Sequence, residues 1–250
     1  MIRLDLYLSE NGLSKSRSEA KSLISGGYVT VGGKIITKAA YEVSEDCSDV
    51  AVDRSGIKYV SRGGLKLEKA LEVFRVDVQG RKCLDVGASS GGFTDCLLQS
   101  GARAVVAVDS GKDQLAQSVR NDERVTNIEG YNARAIKRED LPFVPSLAVM
   151  DVSFISVTLI LGALYDVLDN NGELICLIKP QFEVGRSGIG KGGIVKDDKL
   201  RQGAVKRVVE FACSLGFIHL NTTTSPITGG DGNIEFLAHF KKSGGKGEHE

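Results

Sequence analysis

The feature that most constrains the fold is an apolar run that ends in a glycine-rich turn and continues into a helical pattern. Residues 83–95 read Cys-Leu-Asp-Val-Gly-Ala-Ser-Ser-Gly-Gly-Phe-Thr-Asp. In an open α/β sheet, the crevice at the carboxyl end of such a strand binds a ligand, because the glycines allow close approach and the next helix points its N-terminus at it. The segment therefore predicts a strand, a binding turn and a helix.

Strand-like and helical segments alternate from about residue 65 onward. The apolar strand candidates are 82–86, 104–108, 147–150 and 173–178, and the predicted helices are roughly 93–100, 113–120, 154–168 and 198–215. Strands separated by helices predict a parallel sheet covered on both faces. Two late runs, 217–223 and 234–240, have no helix between them and predict an antiparallel pair. The predicted fold class is α/β, with a Rossmann-like, mostly parallel sheet and an antiparallel last strand.

A separate small α+β unit precedes this region. Its first helix opens near Arg3, and its second helix begins at Ser16, where Glu19 completes a capping box. Alternating residues on either side of Gly32-Gly33 predict a hairpin. The polar, glycine-rich segment 53–64 is interpreted as a linker. We predict three parts: this unit with its linker over 1–60, a second domain over 61–242, and a disordered tail over 243–250.

Composition excludes few classes of protein. Apolar residues make up 42% of the chain and charged residues 26%, and 32 basic residues balance 32 acidic ones, so net charge does not decide for or against nucleic acid. The five cysteines show no C-x-x-C pair, which favours a reducing cytosol and predicts no metal site. There is no signal-peptide core and no apolar stretch near the roughly 20 residues of a membrane span. We therefore expect a cytoplasmic protein.

The glycine turn indicates the cofactor. The dinucleotide pattern G-x-G-x-x-G is absent. An acidic residue before the first glycine suits a ligand with a cationic amino-acid end. An acidic residue after the second strand suits the hydroxyls of a ligand's ribose. This pattern indicates S-adenosylmethionine, and a nucleotide-binding α/β protein of another kind is the alternative. The candidate cofactor residues are Asp85, Gly87, Ser89, Gly91, Asp109 and, near the adenine, Asn132.

Ionisable residues follow two neighbouring strands at the same sheet edge. Asp151 comes after the strand 147–150 and Lys179 after 173–178, so both face the crevice. Enzymes that methylate amino groups often carry Asn-Pro-Pro-Tyr or a similar tetrapeptide at the strand that corresponds to 147–150. This chain has no such tetrapeptide there, which counts against methylation of a base nitrogen. A lysine base and a second, oxyanion-stabilising lysine suit methylation of a ribose 2′-hydroxyl. Lys66 and Lys69 are equal candidates for that second lysine.

Glu235, in an apolar run, is a further candidate for holding the hydroxyl or a lysine. Each residue also has an ordinary structural explanation. Asp151 could cap a helix, Lys179 could extend its charge to solvent, either lysine near residue 66 could be solvated, and Glu235 could face water from an edge strand. The joint occurrence favours catalysis.

Five segments resemble the TlyA family, often labelled haemolysin A, whose members are rRNA cytidine 2′-O-methyltransferases. They are Ser61-Arg62-Gly63-Gly64-Leu65-Lys66-Leu67, Asp85 to Thr94, Asp151-Val152-Ser153-Phe154-Ile155-Ser156, Ile178-Lys179-Pro180-Gln181-Phe182-Glu183 and Gly232-Asn233-Ile234-Glu235-Phe236. The resemblance implies a class I methyltransferase sheet and a catalytic Lys-Asp-Lys-Glu set, shared with FtsJ-type enzymes, at Lys66, Asp151, Lys179 and Glu235. It selects Lys66 over Lys69.

The resemblance also identifies the N-terminal unit as similar to an S4 RNA-binding domain, with ribosomal RNA or a ribosomal subunit as partner. Residues 1–38 hold six basic residues against three acidic ones, and 179–207 hold eight against three. The loop 185–196 is predicted to be a lid that orders on RNA, or else a disordered connector. The candidate RNA-binding residues are Arg3, Lys15, Arg17, Lys21, Arg62, Arg186 and Lys191. Two other classes stay open: a membrane-active haemolysin and a non-catalytic RNA-binding assembly protein.

Overall fold

The N-terminal domain combines two helices with five short strands in the computed structural model, which describes residues 1–14, 16–55, 57–185, 188–229 and 232–244. The helices are α1 (Leu4–Glu10) and α2 (Arg17–Ser25). The strands are β1 (Ile2–Arg3), β2 (Val29–Val31), β3 (Lys34–Ile35), β4 (Glu42–Val43) and β5 (Val50–Val52). Strand β1 pairs with β4, and β2 lies between β3 and β5; every pairing is antiparallel.

The predicted cap at Ser16 and the predicted hairpin are confirmed. At the start of α2, Ser16 Oγ accepts the backbone N–H of Glu19 at 3.1 Å, and the helix ends at Gly26. Gly32 and Gly33 have φ angles of 56° and 73°, which the tight turn between β2 and β3 requires. The apolar faces of both helices and of the strands bury a small core of their own.

Seven strands form one sheet in the described part of the second domain. They are β6 (Lys82–Val86), β7 (Ala104–Asp109), β8 (Val125–Glu129), β9 (Leu147–Met150), β10 (Glu173–Ile178), β11 (Phe217–Thr224) and β12 (Phe236–Lys242). Their order is β11-β12-β10-β9-β6-β7-β8, and β12 runs antiparallel to both of its neighbours while the other pairs are parallel. The predicted sheet, with its antiparallel last strand, is confirmed.

Two details of the sheet differ from the sequence-based expectation. Strand β8 is absent from the predicted strands, because it is an edge strand of half-buried and polar residues without an apolar run. The prediction also puts Glu235 inside the last strand, but β12 begins at Phe236, where its ladder with β10 starts opposite Ile178. Glu235 therefore lies immediately before the strand, at the end of the sheet where the parallel strands have their carboxyl ends.

Helices cover both faces of the sheet. They are α3 (Gly63–Phe74), α4 (Gly92–Gln99), α5 (Gln117–Arg120), α6 (Thr158–Val167), α7 (Pro180–Glu183) and α8 (Asp198–Ser214). Two apolar clusters, one on each side of the sheet, bury the alternate side chains of the central strands. Parallel strands need this double cover, because neither of their faces can be left in water.

Two predicted helices are shorter than expected. The helix expected over 113–120 is reduced to α5, because the Glu129 carboxylate accepts the backbone N–H groups of residues 113–115 and holds them in a loop. The helix expected over 154–168 begins only at Thr158. Phe154 has a left-handed φ of 67°, and Glu183 accepts the N–H of Val157 at 2.9 Å.

The linker between the domains is packed in place. Tyr59 is buried, and its carbonyl accepts the hydroxyl of Tyr28 at 2.7 Å. The N–H of Arg62 donates to the carbonyl of Gly26 at 3.1 Å, just before α3 begins. Of the predicted disordered tail, residues 245–250 lie outside the described residues. No helix in the described ranges has the length and apolar character needed to cross a membrane.

Candidate active site

The topology of the sheet brings four ionisable side chains to one edge. Asp151 directly follows β9 and Lys179 directly follows β10, so both lie at the carboxyl ends of parallel strands. Because β12 runs in the opposite direction, its beginning lies at the same edge and places Glu235 there. Lys66 comes from the first turn of α3.

These side chains form a continuous row of alternating charge. Lys179 Nζ lies 2.6 Å from Asp151 Oδ1, Asp151 Oδ2 lies 3.9 Å from Lys66 Nζ, and Lys66 Nζ lies 2.6 Å from Glu235 Oε2. The exposed fraction of the Glu235 side chain is 2%, and the two lysines are nearly as buried. The four residues predicted to be catalytic therefore converge. Lys69, in contrast, is half-buried, with 41% of its side chain exposed, and pairs with Glu72.

Asp151 is the centre of this row. Burial favours the neutral acid, but the positive charges of Lys179 and Lys66 and the hydrogen bond from Lys179 outweigh it, so the pKa of Asp151 lies below its ordinary value. Asp151 is thus held as a carboxylate between two ammonium groups. It does not cap α6, because the N–H of Val157 at that helix start donates to Glu183, so the capping alternative for Asp151 is wrong.

A cleft of about 450 Å³ opens beside the row. Its wall includes Gly87, Ser89 and Asn132. Asp109 lies on the same wall and joins two loops, because its Oδ2 accepts the N–H of Ser89 at 2.8 Å and its Oδ1 accepts the N–H of Gly111 at 2.6 Å. Five of the six predicted cofactor residues belong to this cleft or to the turn that shapes it.

The glycine turn leaves no room for a side chain. Gly87 has a φ of +85°, and a Cβ atom there would lie 2.2 Å from the carbonyl oxygen of Asp151. Gly91 has a φ of +94° immediately before α4, and a Cβ there would meet Leu115 at 2.8 Å. Gly87 is therefore required by the close approach of the Asp151 backbone as well as by its backbone angle, and Gly91 is required chiefly by its backbone angle.

Asp85 lies behind the turn and does not belong to the cleft wall, contrary to the expectation that it would face the cofactor directly. It is fully buried, and its Oδ2 accepts the hydroxyl of Thr94 at 2.6 Å. Burial is the main cause that raises the pKa of Asp85 to about 7, with Asp151 adding to it. The pleat of β6 dictates this position, because alternate residues of a strand face opposite sides. Asp85 ties the turn to α4.

Three further residues shape the cleft and were given no role from the sequence. Glu129 fixes the loop that carries Gly111, and burial, which opposes ionisation, is outweighed by backbone N–H groups and Arg120, so its pKa falls to about 2. Ser153 Oγ accepts a hydrogen bond from Lys179 Nζ at 2.7 Å. Phe154 is 91% exposed, at a cleft wall, despite its apolar ring. Only Phe154 carried a usable signal, as an aromatic residue within the motif that begins at Asp151.

A second cleft, of about 300 Å³, lies between the two domains. The N-terminal domain contributes Gly26, Gly27 and Thr37, and the second domain contributes Arg62 and both lysines of the row. The two clefts share Gly87, Ser89, Asp151 and Ser153 in their walls. Asp151 therefore lies where a ligand in one cleft would meet a ligand in the other, and the two lysines of the row face the second cleft.

Arg3 and Arg17 form a basic pair on the N-terminal domain. The fully buried Asp5 carboxylate accepts from Arg3 Nε at 2.9 Å and from Arg17 at 3.1 Å, and hydrogen bonds from Arg3, opposed by burial, lower its pKa. About half of each arginine side chain stays exposed. Lys21 is also exposed. Lys15 and Arg186 lie outside the described residues, as does the side chain of Lys191.

Comparison with known proteins agrees with this architecture. The FtsJ-like methyltransferase family matches residues 59–242, and the S4 domain family matches residues 2–46. The protein named 16S/23S rRNA (cytidine-2′-O)-methyltransferase TlyA from Mycobacterium tuberculosis is 43% identical over 94% of this chain and 88% of its own length. The chain belongs to the TlyA family of FtsJ-like methyltransferases.

Other members and neighbours of the TlyA family extend the likeness. Hemolysin A of Brachyspira hyodysenteriae is 46% identical over 96% of this chain and 99% of its own. A candidate hemolysin from Streptococcus thermophilus has a solved structure that is 42% identical, with a TM-score of 0.77 over 97% of this chain and 88% of its own. An S-adenosylmethionine-dependent methyltransferase candidate from Listeria monocytogenes, 14% identical over 72% of this chain and 98% of its own with a TM-score of 0.55, shares the fold.

No cluster of three or more metal-ligating side chains occurs in the part of this TlyA-family chain that the structure describes. The free cysteines there are dispersed, and Cys83, Cys96 and Cys176 are buried in the core. Burial raises the pKa of the Cys83 and Cys96 thiols to about 12, so these groups stay protonated at neutral pH.

Proposed function

We propose that this chain uses S-adenosylmethionine to methylate a ribose 2′-hydroxyl in ribosomal RNA, with cytidine as the target nucleoside. The observation that carries the proposal is the position of the Lys179–Asp151–Lys66–Glu235 row: Asp151 lies in the wall that two clefts share, and both lysines line the second cleft. One cleft has the character of a small-molecule site, and the other lies beneath an S4 domain. The relatives named as cytidine-2′-O-methyltransferases supply the choice of cytidine.

The residues of the first cleft fit S-adenosylmethionine. Its volume of about 450 Å³ is within the range of small-ligand sites. The Asp109 carboxylate, already oriented by two backbone N–H groups, retains lone pairs for ribose hydroxyls. Asn132 lies on the wall for the adenine, and Gly87 leaves the backbone open to the amino-acid end. When bound, S-adenosylmethionine supplies an activated methyl group on a cationic sulfur.

Lys179 is the proposed general base. Its Nζ is bonded to Asp151 and Ser153, which fix its position at the junction of the clefts. To act as a base, Lys179 must first release one ammonium proton to solvent, which leaves a neutral amine that can accept the proton of the hydroxyl. Lys179 would then take the proton of the ribose hydroxyl as the oxygen attacks the methyl carbon. General-base assistance of this kind contributes about 10²–10⁴-fold to a rate.

Lys66 and Glu235 are proposed to hold the attacking oxygen. The Lys66 ammonium is fixed by Glu235 at 2.6 Å and reaches Asp151 at 3.9 Å, so it presents a buried positive charge next to the site of proton removal. An oriented cation in a dry site stabilises a developing alkoxide more strongly than water does. Asp151 fixes the positions of the two lysines relative to each other, since one carboxylate oxygen contacts Lys66 and the other contacts Lys179.

The second cleft is proposed to receive the RNA. Arg62 and the two catalytic lysines line it, and the Arg3–Arg17 pair on the S4 domain offers two further guanidinium groups for phosphates. Phe154 lies on the wall of the first cleft, exposed beside Phe182 with their ring centroids 5.3 Å apart, and is proposed to offer an aromatic face to an unstacked base that reaches this wall. Because ribosomal RNA is the proposed substrate, we place the activity in the cytoplasm.

The proposal is tested by incubating the protein with methyl-labelled S-adenosylmethionine and each ribosomal subunit in turn, taken from a strain without this enzyme. The expected result is label in RNA at a cytidine whose 2′-oxygen is blocked, mapped by reverse-transcriptase arrest and by nucleoside analysis. Label on a base, or none in either subunit, would overturn it. Release of dye from liposomes, measured in parallel, addresses the membrane-active alternative.

A further inference from the structure

Asn233, in the Gly232-Asn233-Ile234-Glu235-Phe236 motif, has no role in the site described above, although its side chain is buried and makes two hydrogen bonds. Asn233 is 1% exposed. Its side-chain Oδ1 accepts the backbone N–H of Val195 at 3.0 Å, and its Nδ2 donates to the carbonyl of Gly193 at 2.9 Å. One amide side chain thus binds a donor and an acceptor on a loop that lies about 40 positions earlier in the chain.

The loop held in this way is rich in glycine and basic residues. Gly192 and Gly193 have φ angles of 77° and 79°, so two successive residues adopt left-handed backbone and are exposed to solvent. The Gly193 N–H donates back to Gly190, and the Gly190 N–H donates to Ile194, which closes the loop on itself. Because two successive positions of this turn carry no side chain, a phosphate can approach its backbone closely. Lys196 is exposed just beyond it.

Asn233 also fixes the loop relative to the catalytic row. It lies two residues before Glu235, and its own carbonyl accepts the N–H of Gly229 at 2.9 Å. Gly229 in turn lies against the Glu235 carboxylate, since a Cβ there would be 2.5 Å from Oε1. The glycine loop and the ion pair of Glu235 with Lys66 are therefore connected through the buried side chain and the carbonyl of Asn233.

We propose that Asn233 is a positioning residue that holds the loop over residues 188–196 at a fixed place beside Glu235, where the loop binds an RNA backbone phosphate near the target ribose. The inference rests on the proposed function, because RNA is the ligand of both surfaces. The amide is suited to this task because it supplies a donor and an acceptor at once, and the neutral group adds no charge next to Glu235.

The sharpest variant is Asn233→Asp, which keeps the shape and the acceptor for Val195 but loses the donor for Gly193. Two oxygens would then face each other at about the distance of the present hydrogen bond, so the loop should detach. We expect KM for ribosomal subunits to rise about tenfold, the factor that corresponds to about 1.4 kcal/mol, with a smaller fall in kcat. The affinity for S-adenosylmethionine, measured by calorimetry, should not change.

Asn170→Asp is the matched control, because Asn170 is exposed in the turn before β10, at the opposite end of the sheet, and receives the same change of charge. Hydrogen exchange supplies a readout that does not depend on activity. The Val195 amide is buried and bonded, so its exchange should be slow in the parent protein and fast in Asn233→Asp. A KM for the subunits equal to that of the parent, or unaltered exchange at Val195, would overturn the proposal.

The two proposals fail in distinguishable ways. If the parent protein methylates no RNA, the proposed function fails, whatever the variant does. Suppose instead that the parent methylates RNA, and that Asn233→Asp raises KM, lowers kcat and lowers the melting temperature together. Asn233 then has only a structural role, and the positioning proposal is wrong. Filter binding of deproteinised ribosomal RNA should show the same loss of affinity as the kinetic measurement.

Discussion

Lys66 Nζ and Glu235 Oε2 lie 2.6 Å apart although 169 positions separate the two residues in the chain. One residue comes from the first turn of α3 and the other from the approach to β12, so the pair exists only when the whole sheet is assembled. Both side chains are buried. A buried ion pair contributes little net stability, because desolvation offsets its attraction, so its presence here calls for a functional explanation.

Separating stability from catalysis at this pair requires two variants. Lys66→Met alone leaves the Glu235 charge buried and unpaired, and we expect a loss of about 3–5 kcal/mol in the free energy of unfolding. Lys66→Met combined with Glu235→Leu should recover most of that stability and still be inactive. Urea unfolding and methyl incorporation measure the two effects. A stable double variant that methylates RNA would assign the pair to folding alone.

Lys179→Ala should lower kcat by at least about a hundredfold, because it removes the proposed general base. The affinity for S-adenosylmethionine should remain that of the parent, since Lys179 does not shape the Asp109 side of the cleft. Lys69→Ala is the control, because Lys69 is partly exposed and its ion pair with Glu72 at 3.2 Å contributes little. Isothermal calorimetry measures the affinity for the cofactor, and a methylation assay measures kcat. Near-parental activity of Lys179→Ala would contradict the assignment.

Gly87→Ala should abolish cofactor binding. The new Cβ would lie 2.2 Å from the carbonyl oxygen of Asp151, so β6 and β9 would have to separate at the site. Gly80→Ala is matched in backbone, with a φ of +72° and no atom within 4 Å of the built Cβ. This control variant should lower the free energy of unfolding by about 1–2 kcal/mol, because alanine is strained in the left-handed backbone conformation. Equal effects of the two variants on calorimetric binding would refute the close-approach explanation.

Replacing Arg3 and Arg17 together by alanine should weaken RNA binding and reduce its dependence on salt. Each phosphate that the variant no longer neutralises should lower the slope of log affinity against log salt by about 0.7–0.9. Arg103→Ala, at an exposed position before β7, controls for the loss of positive charge. Filter binding over a range of salt provides the slopes. A double variant with the parental slope would exclude the pair from phosphate binding.

Asp85 should make the stability of the protein depend on pH. Its folded pKa of about 7 lies above the ordinary value of about 3.9, so the folded state binds the proton more tightly and stability falls as pH rises between those values. Asp85→Asn removes this titration. Its stability relative to the parent should therefore rise by up to about 1.4 kcal/mol per pH unit between about pH 5 and 7 and level off above.

Urea unfolding of both proteins across this range measures the difference. Asp166→Asn, at an exposed position of α6, controls for the change of charge. A difference between parent and Asp85→Asn that stays constant with pH would show that Asp85 is ionised in the fold throughout. The Thr94 hydroxyl can still donate to the amide oxygen of the variant, so the turn should keep its hydrogen bond.

The order of apolar runs was enough to predict most of this fold, because buried parallel strands are continuous in sequence. Asp151 and Lys179 could be predicted as neighbours for the same reason, since each follows such a strand. Lys66 could not be separated from Lys69 by spacing alone, because residues three apart share one helix face. The family resemblance selected Lys66, and the geometry agrees.

Other features depend on contacts that no local pattern records. Glu129 acts by accepting N–H groups from a loop 14 to 16 positions away, and its strand β8 lacks an apolar run because it is an edge. The placement of Asp85 behind the turn follows from the strand's pleat and from Thr94. The second cleft needs two domains to be docked, so the sequence of either one cannot predict it.

Gly27 joins the S4 domain to the catalytic domain at one close contact. It stands against the guanidinium of Arg62, and any Cβ at Gly27 would come within 2.8 Å of Arg62 Nε. A larger residue would displace that arginine, which lines the second cleft together with Lys66. Replacing the S4 domain by another RNA-binding module would therefore change the shape of this cleft unless the new module also has glycine at the contact.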